Sequence, residues 1–253
     1  MNTKKFIELN PKCCFCGGTV DAATIEHQPA KIIFPDKHRP KGLEFPSCLA
    51  CNQQTARDEV LVALVARMGI SPSGKDAGLD SKIDDIIKSI NSLWPGLLPA
   101  LLKTSEEHDA RAGTSTIVLN HPQINDSIDR VCAKSALATY YYETGMIACE
   151  KSVVETKWAV DQQGTNAAAS HLSDMLPKSA VLKQGKWDTT STFFLRYHVQ
   201  ERFIYQATML YGSIVLIAKL SIGSPPESWR PSMTRWFPSP GAGIVRYGAT
   251  HCA

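Results

Sequence analysis

No stretch of this sequence stays apolar long enough to cross a bilayer. The longest such run, Ile214 to Leu220, contains Lys219 and falls far short of the ~20 residues a spanning helix needs. The first residues, Met1-Asn-Thr-Lys-Lys-Phe-Ile-Glu8, lack the apolar segment of a secretory signal, so a soluble, cytoplasmic chain with no membrane partner is expected. No segment repeats at a fixed period, and no G-x-S-x-G marks a serine nucleophile. A marked excess of charge of one sign is lacking as well. There are 27 Lys and Arg against 24 Asp and Glu, a net +3, so any basic contact surface has to be local. Intrinsic disorder is excluded by a hydrophobic content of 43%, and collagen-like or low-complexity sequence by only 16 Gly and 15 Pro in 253 residues.

Cysteine, by contrast, is concentrated. Five of the eight fall within residues 13 to 51. In a reducing compartment that clustering points to metal ligation rather than disulfides. Cys13 and Cys16 form one C-x2-C pair, and Cys48 and Cys51 form a second. Each pair can chelate one ion from a tight turn, and four thiolates make the closed tetrahedral arrangement of structural zinc. Gly17 and Gly18 follow the first pair, where a knuckle turn needs backbone freedom. Cys14 could compete for the metal, but the bite of C-x2-C favours Cys13 with Cys16. The other reading is a set of buried free thiols.

The chain divides at a Ser-, Gly- and Pro-rich stretch, residues 71–78, which reads as a linker. Residues 1–70 carry the cysteines, short apolar pairs suited to two small strands, and a helix from Asn52 to Met68 stopped by Gly69. Residues 79–253 open with an amphipathic helix whose face is Ile83, Ile86, Ile87, Ile90 and Leu93, with Asp80 as its cap and Pro95 at its end. A second helix is expected from Asn125 to Cys149, with Gly145 interrupting it or near its end. Three stretches rich in β-branched and aromatic residues, Thr192–Val199, Phe203–Tyr211 and Ser213–Leu220, read as an antiparallel meander. The proline-rich last ~30 residues look irregular. The expected class is α+β: a small zinc-binding unit followed by a larger unit of helices plus an antiparallel sheet.

Between the two cysteine pairs lies Ile25-Glu26-His27-Gln28-Pro29, and Asn52 follows the second pair directly. A zinc staple would bring Asn52 close to Glu26 and His27. Glu26 and Asn52 offer hard oxygen ligands suited to Mg²⁺ or Mn²⁺. His27 offers a base that titrates near neutrality. Such a set can activate water against a phosphodiester.

The order C-x2-C, acid-His, Pro, C-x2-C-Asn resembles the zinc-stapled HNH endonucleases, whose active site is a ββα-metal fold. The similarity runs through Thr24-Ile-Glu-His-Gln-Pro-Ala-Lys-Ile-Ile-Phe-Pro35 and Pro46-Ser-Cys-Leu-Ala-Cys-Asn52, about a fifth of the chain, and it looks like a bacterial branch of that family. The resemblance implies that His27 deprotonates the attacking water, that Glu26 is the acidic metal ligand (more often Asp in the family), and that Asn52 is the last metal ligand. It also implies an acidic pair after the Asn, here Asp58-Glu59. The family's middle Asn, which orients the base, has no match. Its place falls near Lys41-Gly42-Leu43. The implied activity is metal-dependent hydrolysis of DNA, suited to bacterial genome defence, with RNA as a second substrate class.

Lys31, Lys37, Arg39 and Lys41 crowd the connection between His27 and the second cysteine pair, as phosphate contacts would. Plainer readings stand beside these. Glu26 could pair with Lys31, Asn52 could only cap the next helix, and Asp58-Glu59 could serve the helix dipole. The basic loop could be merely solvated. Arg130 with Lys134, Tyr140–Tyr142 and Arg196-Tyr-His198 suit either a nucleic-acid surface or, more often, a core. Residues 79–253 could contact substrate, form a homodimer or bind a regulator. The rival function is a zinc-stapled nucleic-acid or protein binding module with a degenerate site.

Overall fold

The computed structural model describes residues 2–34, 39–40, 42–68, 80–112, 119, 121–160, 183–184, 193–211, 214–223 and 243–246. Helix α1 (Thr3–Leu9) precedes a two-stranded hairpin, β1 (Thr24–His27) and β2 (Glu44–Ser47). Four helices follow: α2 (Leu49–Gln54), α3 (Ala56–Met68), α4 (Asp80–Leu93) and α5 (Leu97–Ala112). Helix α6 (Pro122–Thr144) leads into β3 (Val153–Val160), β4 (Lys183–Gln184), β5 (Phe193–Gln200), β6 (Phe203–Leu210), β7 (Ile214–Ser221) and β8 (Gly243–Arg246). Strands β3 to β8 form an antiparallel sheet in the order β4-β5-β6-β7-β3-β8. The fold is α+β, helices with antiparallel sheets. No helix among the described residues is long and apolar enough to cross a membrane.

The long helix α6 is the middle layer. His121 caps its start by accepting from the Gln123 N–H at 3.2 Å, Pro122 occupies the first turn, and Gly145 ends it at φ 68°. That left-handed C-cap stops the helix short of the expected Cys149, because glycine adopts the conformation without a Cβ clash. Its middle is buried nearly all round, from Ser127 to Tyr140 with Arg130 and Ser135 half-buried. One side meets the sheet. Thr156 donates to Asp129 at 2.8 Å, Gln206 to Ser135 at 2.7 Å, and the Cys132 thiol to the Ile217 carbonyl at 3.4 Å. The other side meets α3, where Asp58 accepts from Ser127 at 2.7 Å and from both Nε and Nη2 of Arg130. One hydrophobic cluster runs from the cysteine region through Leu61, Leu64, Ile128 and Leu137 to Val154, Ile204 and Leu220.

The meander is present as β5, β6 and β7, with Phe193 opposite Leu210 and Leu210 opposite Ile214. Strand β3 goes unrecognised in the sequence because Glu155 and Lys157 interrupt its apolar pattern, although both are buried. Helix α5 is hidden by Pro99, which a first turn tolerates because its N–H groups have no intrahelical partner. The helix expected from Asn52 to Met68 starts earlier, at Leu49, and is broken at Thr55 into α2 and α3. The expected linker 71–78 lies outside the described residues, as does most of the proline-rich tail.

Candidate metal centre and the hairpin beside it

The knuckle between residues 12 and 21 folds back on itself. The Cys13 N–H donates to the Val20 carbonyl at 3.0 Å, and the Ala22 N–H to the Pro11 carbonyl at 2.8 Å. Gly17 and Gly18 make the return at φ 70° and 74°. The Cys14 N–H then donates to the Pro46 carbonyl at 3.0 Å and presses the knuckle onto β2. Cys48 follows β2 directly as the N-cap of α2, and Cys51 lies in that helix's first turn. The four sulfurs of Cys13, Cys16, Cys48 and Cys51 lie within 4.8 Å of one another, and all four residues are buried.

Two backbone N–H groups aim at these sulfurs, Phe15 at Cys13 and Cys51 at Cys48, both at 3.4 Å. The Cys13 thiol is lowered to about 4, first by its hydrogen bond with Cys51 and then by backbone donors, against desolvation. A thiolate at neutral pH is the ligand form a metal needs. Cys14 points elsewhere. Its thiol is pushed up by burial, as for an inert core cysteine. Four sulfurs at this spacing, with N–H groups trained on them, fit a soft tetrahedral ion such as zinc.

Strand β1 lies antiparallel to β2, with Glu26 opposite Phe45 and His27 opposite Glu44. Neighbouring residues of a strand point to opposite faces. Glu26 therefore turns inward, where it is 5% exposed, and His27 turns outward. The His27 Nδ1 lies 3.9 Å from Glu44 Oε1, and Arg39 Nη2 lies 3.6 Å from the same oxygen. Burial lowers the His27 imidazole to about 4, helped by Arg39 and Lys31 and opposed by Glu44. The ring is neutral at pH 7. Glu44 thus occupies the cross-strand place beside His27, and sequence reasoning missed it. The available signal was its position one residue before Phe45-Pro46, within pairing distance of β1.

Glu26 meets Lys134 of α6, with Nζ 2.9 Å from Oε2. The same ammonium donates to the Thr55 hydroxyl at 2.7 Å and to the Cys51 carbonyl at 3.0 Å. The Thr55 hydroxyl in turn donates to Glu59 Oε1 at 3.1 Å, and that oxygen lies 4.0 Å from Nζ. Lys134 is thus a core residue, and its partner is Glu26, for which a metal was the expected mate and Lys31 the plainer alternative. Arg130, half-buried, likewise pairs with the buried Asp58.

Asn52 is not a helix cap. Cys48 holds that position, and Asn52 lies a turn inside α2. Its Nδ2 donates to the Ile25 carbonyl at 3.4 Å, tying α2 to β1. Its Oδ1 is the atom it can offer to a cation. Lys31 stands exposed in a 3-10 turn (Lys31–Ile33), and the Arg39 side chain is 17% exposed. Lys37 and Lys41 lie outside the described residues.

A divalent metal held by Glu26 and Asn52 does not fit this arrangement, because the Glu26 carboxylate faces an ammonium. No family model, curated protein or solved structure matches the chain.

Proposed function

We propose that the chain is a zinc-stapled endonuclease of the HNH type that hydrolyses phosphodiester bonds of DNA. The observation that carries this reading is the setting of His27. It ends the first strand of a hairpin that runs directly into a short helix, and four cysteines pin the hairpin to that helix. Cys13, Cys16, Cys48 and Cys51 would hold the zinc, which would cross-link the knuckle to the hairpin and the start of α2.

The chemistry then rests on side chains of the outer face. Neutral His27 accepts the proton of an attacking water. Arg39 and Lys31, both near enough to act on the imidazole, hold the phosphate. A bound phosphodiester anion offsets those two cations and raises the basicity of His27 where the base is needed. Glu44 acts in the same direction.

The test is plasmid nicking by the full chain with Mg²⁺, Mn²⁺ or EDTA, run beside His27→Ala. Cutting that falls by about 10²-fold or more in the variant, with zinc and fold retained, is the expected result. Equal cutting by both proteins overturns the assignment. A matching assay on RNA separates the two substrate classes.

One observation favours a second reading, a module that binds nucleic acid or protein without cutting. The acid next to His27 is neutralised from inside the protein. A folded, zinc-loaded wild type that retards DNA yet never cuts it supports this reading over the first.

A further inference from the structure

We propose that Lys134 is the resident cation of an all-oxygen cage built by Glu26, Thr55, Cys51 and Glu59, closing that cage to divalent metal, and that removal of its ammonium opens a divalent-cation site there. The inference stands apart from DNA cleavage.

The cage has the ligands a hard cation selects. A carboxylate oxygen, a hydroxyl and a backbone carbonyl lie 2.9, 2.7 and 3.0 Å from Nζ, and a second carboxylate oxygen lies at 4.0 Å. Mg²⁺ and Mn²⁺ take the same donor types. Two of the ammonium's three N–H donors go to the Thr55 hydroxyl and the Cys51 carbonyl, and Glu26 adds the opposite charge at ion-pair distance. The Phe15 ring centroid, 5.2 Å from Nζ, covers a further side with its electron-rich face.

Charge and access agree with the geometry. Two carboxyls share the cage, and burial raises both, so the single ammonium is the cation that holds Glu26 ionised there, the place a divalent ion would otherwise take. Lys134 is 2% exposed, and Glu26, Thr55 and Glu59 are all buried. Lysine supplies its cation from α6 as part of folding, whereas a metal would have to enter from solvent and shed its water. The cage therefore fills with the chain's own charge. It also joins the elements it touches: β1 through Glu26, α2 through Cys51, α3 through Glu59, and α6 through Lys134.

The experiment is a Mn²⁺ titration of the zinc-loaded full chain, with free Mn²⁺ followed by its electron paramagnetic resonance signal. Three variants accompany wild type: Glu26→Gln, Lys134→Met and the double variant. Methionine keeps most of the lysine volume while removing the charge. Wild type and Glu26→Gln are expected to take up the same amount of Mn²⁺. Lys134→Met should take up one more ion per chain, and the double variant should lose that ion. Uptake by wild type that Glu26→Gln abolishes overturns the proposal, because Glu26 would then serve a metal while Lys134 is present. A folded Lys134→Met without the extra ion also overturns it. Should Lys134→Met fail to fold, the comparison of wild type with Glu26→Gln decides alone: equal uptake upholds the closed cage, and loss in Glu26→Gln sinks it. All arms read metal uptake, so a chain that cuts no DNA leaves the result interpretable.

Discussion

Glu26 and Lys134 form an ion pair of 2.9 Å in which neither side chain is more than 6% exposed. The pair reaches from the first strand of the cysteine-rich segment to the central helix under the sheet. A buried pair of this kind gains little over a well-packed apolar pair, but breaking it leaves one charge stranded. Lys134→Ala strands Glu26 beside Glu59. It should cost about 3–5 kcal/mol in urea unfolding at pH 7. Glu26→Gln keeps an acceptor for Nζ and leaves Glu59 as a counter-charge, so it should cost clearly less. Equal losses would mean that the two carboxylates do not share the ammonium.

Cys48→Ser removes a sulfur that serves as a candidate ligand and as the N-cap of α2. Metal content by elemental analysis should fall to background, and residues of the knuckle and hairpin should lose amide protection. The sheet should keep its protection longer, since β5, β6 and β7 draw their hydrogen bonds from one another. Cys14→Ser is the control. Cys14 lies between the ligands in sequence but is a buried free thiol, so metal content should stay at the wild-type value. Loss of metal in Cys14→Ser with retention in Cys48→Ser would reverse the ligand assignment.

Gly17 fixes how the knuckle sits on the rest of the protein. Its φ is 70°, and a Cβ built there would lie 2.9 Å from Glu150 Cγ and 3.2 Å from the Glu150 backbone nitrogen. Gly17→Ala therefore meets backbone strain and a backbone neighbour together. A destabilisation of about 1–2 kcal/mol is expected from the left-handed conformation alone. Thermal melts of the zinc-loaded protein read it. An unchanged melting temperature would mean that the knuckle rearranges freely.

The cysteine centre was legible in the sequence because C-x2-C spacing is itself a geometric statement about one ion. The meander was legible because its strands are continuous β-branched and aromatic runs. The roles of Glu26, Asp58 and Glu59 were not legible. An acid's partner depends on which helix packs above it, and Arg130 and Lys134 look on their own helix like an exposed basic edge. Only the packing of α3 and β1 against α6 pairs them, Arg130 with Asp58 and Lys134 with Glu26. Glu44 was missed for a related reason. Its relation to His27 is a matter of strand register, which sequence specifies only through the buried face, here Phe45 and Glu26.

Asp129 offers a pH signature that is remote from the cysteines. It lies on the sheet side of α6, 7% exposed, accepting from Thr156, with Asp126 and Arg130 nearby. Burial raises its carboxyl from 3.8 to about 6, the Thr156 hydrogen bond opposing. The folded protein thus holds this proton in a range where the unfolded chain has released it. Stability from this group is complete below pH 4 and is lost as pH rises from about 4 to 6, after which it is level. The whole loss is about 2–3 kcal/mol at 1.36 kcal/mol per pH unit. Glu59, raised to about 7 chiefly by burial, adds a similar fall at higher pH, so the wild-type curve alone does not isolate Asp129. The difference between wild type and Asp129→Asn does. Asparagine keeps an acceptor for Thr156 and never ionises, so the variant should gain on wild type between pH 4 and 6 and hold that gain to pH 8. Urea unfolding at half-unit steps measures the difference. A gap that does not change with pH would mean that Asp129 is as ionised in the folded protein as in the unfolded chain, and that the buried Thr156–Asp129 bond holds a carboxylate rather than an acid.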